Sequence, residues 1–146
     1  MTGATVPITR DRSTAPWVLD ALMATGVGVF TWIFRVLSSA DLTNDHYMHL
    51  GWAQQLLFGQ WPGRDFVDPG MPLTYLISAL PQYLRPGPFT ELVLAAGMTG
   101  LAAAATYVAA ARVSRSRIVG LLVTMLTVAM SPRLYNYPKL LVPAVA

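Results

Sequence analysis

Two stretches of this chain contain too few charges to be exposed to water as isolated helices, and they constrain its fold more than any other feature. Trp17 to Leu37 is a mostly apolar run of 21 residues, and Phe89 to Ala111 is a second of 23. At about 1.5 Å per residue, a helix of the first length reaches roughly 31 Å, the thickness of a hydrocarbon core. A third apolar run, Ile118 to Met130, has only 13 residues and stops at Ser131-Pro132. It is short for a span, so it either tilts into the protein interior or continues past Pro132 with a kink. Composition agrees with the pattern. The chain is 54% hydrophobic and 12% charged, against about 25% charged in average soluble proteins. The expected fold is all-α: a polytopic transmembrane helical protein.

The basic residues suggest an orientation. Arg10 and Arg12 precede the first run, and Arg112, Arg115 and Arg117 separate the second from the third. Both clusters fall on one side if each long run crosses once, so the positive-inside rule places them in the cytoplasm. Residues 1–16 then form a cytoplasmic leader, with a transmembrane domain over 17–146. Residues 38–88 become an external loop, facing out with the segment after Met130. The predicted location is the inner membrane, multi-pass, with the amino terminus cytoplasmic. A cleaved signal peptide competes for the first run, since Ser38-Ser39-Ala40 resembles a cleavage site. Its apolar region exceeds the usual stretch of roughly 7 to 15 residues. Leu140 to Ala146 reads as the start of a fourth helix.

Several residues have expected roles in this frame. Asp20 and Arg35 lie about 22 Å apart along a helix, so each is expected to reach its own interface. Ala96, Gly100 and Ala104 form a small-residue stripe that admits a close helix neighbour. Trp17 and Trp32 read as interface anchors. With no cysteine, thiolate chemistry and disulfides are excluded. Arginines scattered at segment ends set topology rather than contact phosphates, so no nucleic-acid partner is expected.

The external loop concentrates the polar chemistry. Thr43 or Asn44 can cap a helix with Asp45 in its first turn, where a carboxylate meets the positive dipole end. Tyr47, Leu50, Gln54 and Leu57 then share one face, and Asp45, His49 and Trp52 another. Gly59 and Pro62-Gly63 end this helix. Asp68-Pro69-Gly70 forms a turn, and Pro72 suits the start of a second helix with Leu73, Leu76, Ile77 and Leu80 at helical spacing. The loop is thus predicted to hold two interfacial helices joined by an acidic elbow. His46 and His49 lack metal-site spacing with Glu or Cys and read as interfacial polar residues.

With these residues in place, the chain resembles membrane glycosyltransferases of the C-type (GT-C) fold, in the broad group of protein O-mannosyltransferases and aminoarabinose transferases. The resemblance rests on the first apolar helix, Asp45-His46-Tyr47, Ala53 to Gly59, Arg64-Asp65-Phe66, Pro72 to Tyr75, and Arg133 to Lys139. It covers nearly all of residues 17–146, corresponding to the amino-terminal part of such an enzyme. Many relatives place Glu where this chain has His46, and others carry a lysine in the elbow that Asp68 to Leu73 lacks.

The resemblance implies transfer of a sugar from a polyprenyl-phosphate donor to an acceptor at the outer membrane face. Asp45 would be the catalytic base. Arg64, Asp65, Asp68, Arg133, Tyr135 and Lys139 would bind substrate, the cations among them stabilising the departing phosphate. A lipid-linked sugar donor and membrane lipid are the expected partners. No cofactor and no metal ligand is assigned, although a divalent ion remains compatible with the chemistry. The competing expectations are a small non-enzymatic membrane protein or assembly subunit with a partner-binding loop, and a transporter. Polarity that collects outside nearly clean spans disfavours transport.

Overall fold

The computed structural model describes residues 15–39, 42, 44–67 and 72–131. Among them are five helices and no β-strand: α1 (Ala15–Ser38), α2 (Asn44–Leu57), α3 (Pro72–Leu84), α4 (Pro88–Ser114) and α5 (Arg117–Met130). The three apolar runs become α1, α4 and α5. Among the described residues, α1 and α4 are the helices long and apolar enough to cross a membrane. At 14 residues, α5 extends about 21 Å.

Helix α4 is the axis of the molecule. Helix α1 packs along it, α5 packs on it, and the α2–α3 pair sits against its beginning. The small-residue stripe has its expected effect, with α1 as the partner. A Cβ built on Gly100 would lie 2.5 Å from the Gly28 carbonyl oxygen, so only glycine permits this crossing. Trp32 Nε1 donates to the Val93 carbonyl at 3.1 Å, further along the same antiparallel pair. Gly120 plays the corresponding part between α5 and α4, facing Ala111.

Asp20 and Arg35 do not act as separate interface anchors. Arg117 Nε donates to Asp20 Oδ1 at 2.5 Å, tying the start of α5 to α1. At the other end Arg35 is buried, and its Nη2 donates to the carbonyls of Val128 (2.7 Å) and Ser131. The last carbonyls of a helix have no internal partner and form its negative end, so a buried guanidinium is better satisfied there than by reaching for an interface. Through these two residues α1 holds α5 at both ends. Cleavage after Ala40 would remove one wall of the bundle.

The short helices are turned differently from the sequence expectation. In α3 the aliphatic positions point away from the protein: Leu73 is 51% exposed and Leu80 75%. The buried positions are Thr74, Tyr75, Ser78, Ala79 and Gln82. In α2, Tyr47, Gln54 and Leu57 are exposed, while His46, His49, Leu50 and Ala53 are buried at i, i+3, i+4 and i+7. Both helices thus direct polar groups inward against α4. Turns fix the pair. Gly63, at φ +78°, donates its N–H to the Phe66 carbonyl at 2.9 Å. Gly87 adopts φ +142°, a conformation favouring glycine. Buried Gln82 clamps that residue at two points, donating to its carbonyl at 3.0 Å and accepting from its N–H at 2.7 Å.

Candidate functional site

The polar groups brought together by α2, α3 and α4 form a cluster shielded from solvent. Helix α4 begins at Pro88, a residue well suited to a first helical position, and carries Glu91 in its first turn. Glu91 is fully buried, as are His46 of α2 and Ser78 of α3. His46 Nδ1 lies 3.7 Å from Glu91 Oε1, an ion-pair distance when the imidazole carries a proton. Ser78 Oγ is 3.2 Å from the same carboxylate oxygen and 3.1 Å from the Thr74 carbonyl. Thr74 Oγ1 is in turn 3.1 Å from His49 Nδ1, with the direction of that bond following the imidazole tautomer.

An aromatic wall encloses one flank. His49 meets Trp52 edge-on at 5.2 Å, and Tyr75 meets both Trp52 and Phe66 edge-on at about 6 Å. Burying a carboxylate costs several kcal/mol unless it is paired and hydrogen-bonded. Glu91 has both a histidine and a hydroxyl within reach. The cluster therefore joins three helices by contacts that are costly to break one at a time.

The residues expected from sequence are distributed more widely. Asp45 lies in the first turn of α2, directly before buried His46; the side chains of Asn44 and Asp45 are outside the described set. Arg64 and Asp65 occupy the exposed turn after α2 and pair with each other, the Arg64 side chain staying largely exposed. Arg64 donates to Asp65 Oδ2 from Nη2 (2.6 Å) and Nε (2.9 Å), and the Trp61 N–H donates to the same oxygen at 2.8 Å. The guanidinium hydrogen bond, and after it the Trp61 N–H, hold the Asp65 carboxyl below its ordinary range; the same bond raises the Arg64 pKa. Asp68, Arg133, Tyr135 and Lys139 lie outside the described residues.

His46 and His49 are thus core residues rather than interfacial ones, and Glu91 had no expected role at all. A signal was available. His46 and His49 share one helix face, and Thr74, Ser78 and Gln82 recur every four residues opposite the leucines of α3. Glu91 is the one acidic residue of α4.

A second feature lies on the α1/α4 side. An open groove of about 910 Å³ is lined by apolar residues including Trp32, Phe89, Leu94, Met98 and Leu101, and Arg85 stands at its α3–α4 end. Among the described residues, Arg85 makes no ion pair. No group of three or more His, Asp or Glu among the described residues could hold a metal ion. No protein-family model, curated protein or solved structure matches the chain.

Proposed function

We propose that this protein is an integral membrane glycosyltransferase of the C-type kind, moving a sugar from a polyprenyl-phosphate donor to an acceptor at the outer face of the cytoplasmic membrane. The observation that carries the reading is the anchoring of α2: its first turn bears Asp45, and the next residue is locked into the buried cluster with Glu91. A catalytic base needs a fixed position, and sites built on packed helices hold position better than loops.

Membrane placement is supported by the distribution of apolar surface. Leu22, Phe30, Ile33 and Leu37 of α1, and Ile118, Leu122 and Leu126 of α5, are exposed, while α3 buries hydroxyls and exposes leucines. Water would penalise so much apolar surface, whereas a hydrocarbon solvent favours it. In this reading α1 and α4 cross the bilayer and the amino terminus is cytoplasmic. The apolar groove with Arg85 at its end suits a lipid tail with an anionic head. Asp45 accepts the acceptor hydroxyl's proton. Arg64, retaining an exposed guanidinium, is available to the departing phosphate together with Arg133 and Lys139, while Asp65, Asp68 and Tyr135 contact the sugar or acceptor.

Asp45→Asn tests the proposal. It should lower sugar transfer by about 10²- to 10⁴-fold, the contribution of a positioned general base, without reducing membrane insertion. Full activity in the variant would remove Asp45 from the mechanism. Exposed Phe58, Trp61 and Val67 beside α2 favour a second reading, a non-enzymatic membrane protein that binds a partner through this surface. Charged substitutions there would abolish partner capture in that case and leave any sugar transfer unchanged.

A further inference from the structure

The end of the bundle remote from the α2–α3 pair contains a cleft of about 590 Å³ that the proposed reaction does not use. Its wall includes Trp17 and Asp20 of α1, Tyr107 and Arg112 of α4, Arg115 of the connection and Arg117 of α5. Three arginines against one aspartate leave two excess positive charges. Asp20 is paired with Arg117. Arg112 and Arg115 are exposed and form no ion pair among the described residues. The negative end of α4 and the positive start of α5 meet here and offset each other, so the side chains set the local charge.

Tyr107 supplies an independent observation. It is fully buried, lines the cleft, and its hydroxyl has no hydrogen-bond partner among the described residues. Buried hydroxyls are almost always bonded, so one left open in the wall of a basic cleft points to an acceptor that occupies the cleft. Arg115, which caps the end of α4, is the one described non-glycine residue with left-handed backbone, φ 53° and ψ 28°, and it lines the cleft.

We infer that this cleft binds the phosphate headgroup of an anionic glycerophospholipid from the surrounding bilayer. Arg112 and Arg115 are the charge-assisted donors, and the Tyr107 hydroxyl is the neutral one. A free phosphate presents the same oxygens, but the site favours the lipid. Trp17 at the rim suits the headgroup level, the apolar surface of α1 continues beside it, and basic pockets between helices at an interface select anionic heads. The inference rests on membrane insertion of α1 and α4 and is independent of sugar-transfer chemistry.

The test uses the full chain purified in mild detergent, with bound lipid read by native mass spectrometry and stability by Tm. Phosphatidylglycerol should bind and raise Tm, and phosphatidylcholine should do neither. Arg112→Gln/Arg115→Asn should weaken phosphatidylglycerol binding roughly 30-fold, the expectation for two basic residues near an anionic surface, with Asn chosen because it tolerates the left-handed backbone. Tyr107→Phe should reduce affinity by about 2- to 10-fold, the effect of one hydrogen bond, without lowering Tm in phosphatidylcholine. Equal retention of both lipids, or unchanged phosphatidylglycerol affinity in the arginine double variant or in Tyr107→Phe, would overturn the site. Stabilisation by millimolar inorganic phosphate equal to that by the lipid would overturn the lipid assignment. Extraction of the chain from membranes by alkaline carbonate would instead refute membrane insertion, separating that failure from a failure of the site.

Discussion

Replacing Gly100 by alanine should be the most informative single change in the bundle. The added Cβ would meet the Gly28 carbonyl oxygen at 2.5 Å, where ordinary contact begins at 3.4 Å, a shortfall of 0.9 Å (3.4 − 2.5). The obstacle is backbone, so no rotamer change relieves it, and Trp32 Cβ stands 3.2 Å away on the same side. The helices must separate, and a gap of that size forfeits a quarter to a half of each dispersion contact along the seam. Overpacking of this kind costs up to about 3 kcal/mol, and the better helix propensity of alanine returns about 1. The expected net loss is thus about 2 kcal/mol.

Two other glycines calibrate that value. Gly28→Ala meets the Gly100 carbonyl at 3.1 Å and should be nearly neutral. Gly26→Ala meets nothing within 4 Å and should stabilise by about 0.5–1 kcal/mol through propensity alone. Unfolding in a detergent titration, followed by circular dichroism, would rank the three variants. Gly100→Ala matching Gly26→Ala in stability would refute the close crossing of α1 and α4.

The buried cluster should respond as a unit. Removing Glu91 with alanine is expected to cost about 3–5 kcal/mol, and a double-mutant cycle with His46→Ala should give a coupling of about 1–3 kcal/mol; a coupling within about 0.5 of zero would mean the two side chains are energetically independent. Arg35→Met should cost about 2–3 kcal/mol and unfasten the last turn of α5, visible as faster amide exchange near Val128 and Ser131; unchanged exchange would show that Arg35 does not cap this helix. The turn at Asp65 should depend on pH. Its folded pKa is depressed, so its stabilising effect is complete above the unfolded value of about 3.9 and is lost as pH falls through the lower folded value. Carboxyl NMR of Asp65 should show that depressed midpoint, and Arg64→Gln should return it towards the unfolded value.

The helical class, the two membrane-length segments, the start of α3 at Pro72 and the small-residue stripe were all legible from the chain itself. Each is set by local rules: helix length follows from uninterrupted apolar residues, helix starts from proline chemistry, and close approach from glycine at four-residue spacing. Such rules act within one helix and say nothing about what it meets. Choosing Gly28 as the partner of Gly100, and pairing Asp20 with Arg117, required residues more than 70 positions apart to be placed side by side.

The short helices show the limit most clearly. Leucines at helical spacing in α3 mark a distinct face but not the direction it points, because periodicity is the same whether the surrounding medium is water or lipid. In this fold the polar face turns inward, where Ser78 and Thr74 meet Glu91 and His49. Local sequence therefore determined the elements and their apolar faces. Tertiary structure alone decided which polar groups became buried partners, since the cost of burying Glu91 is met only when α2, α3 and α4 bring His46 and Ser78 to the same carboxylate.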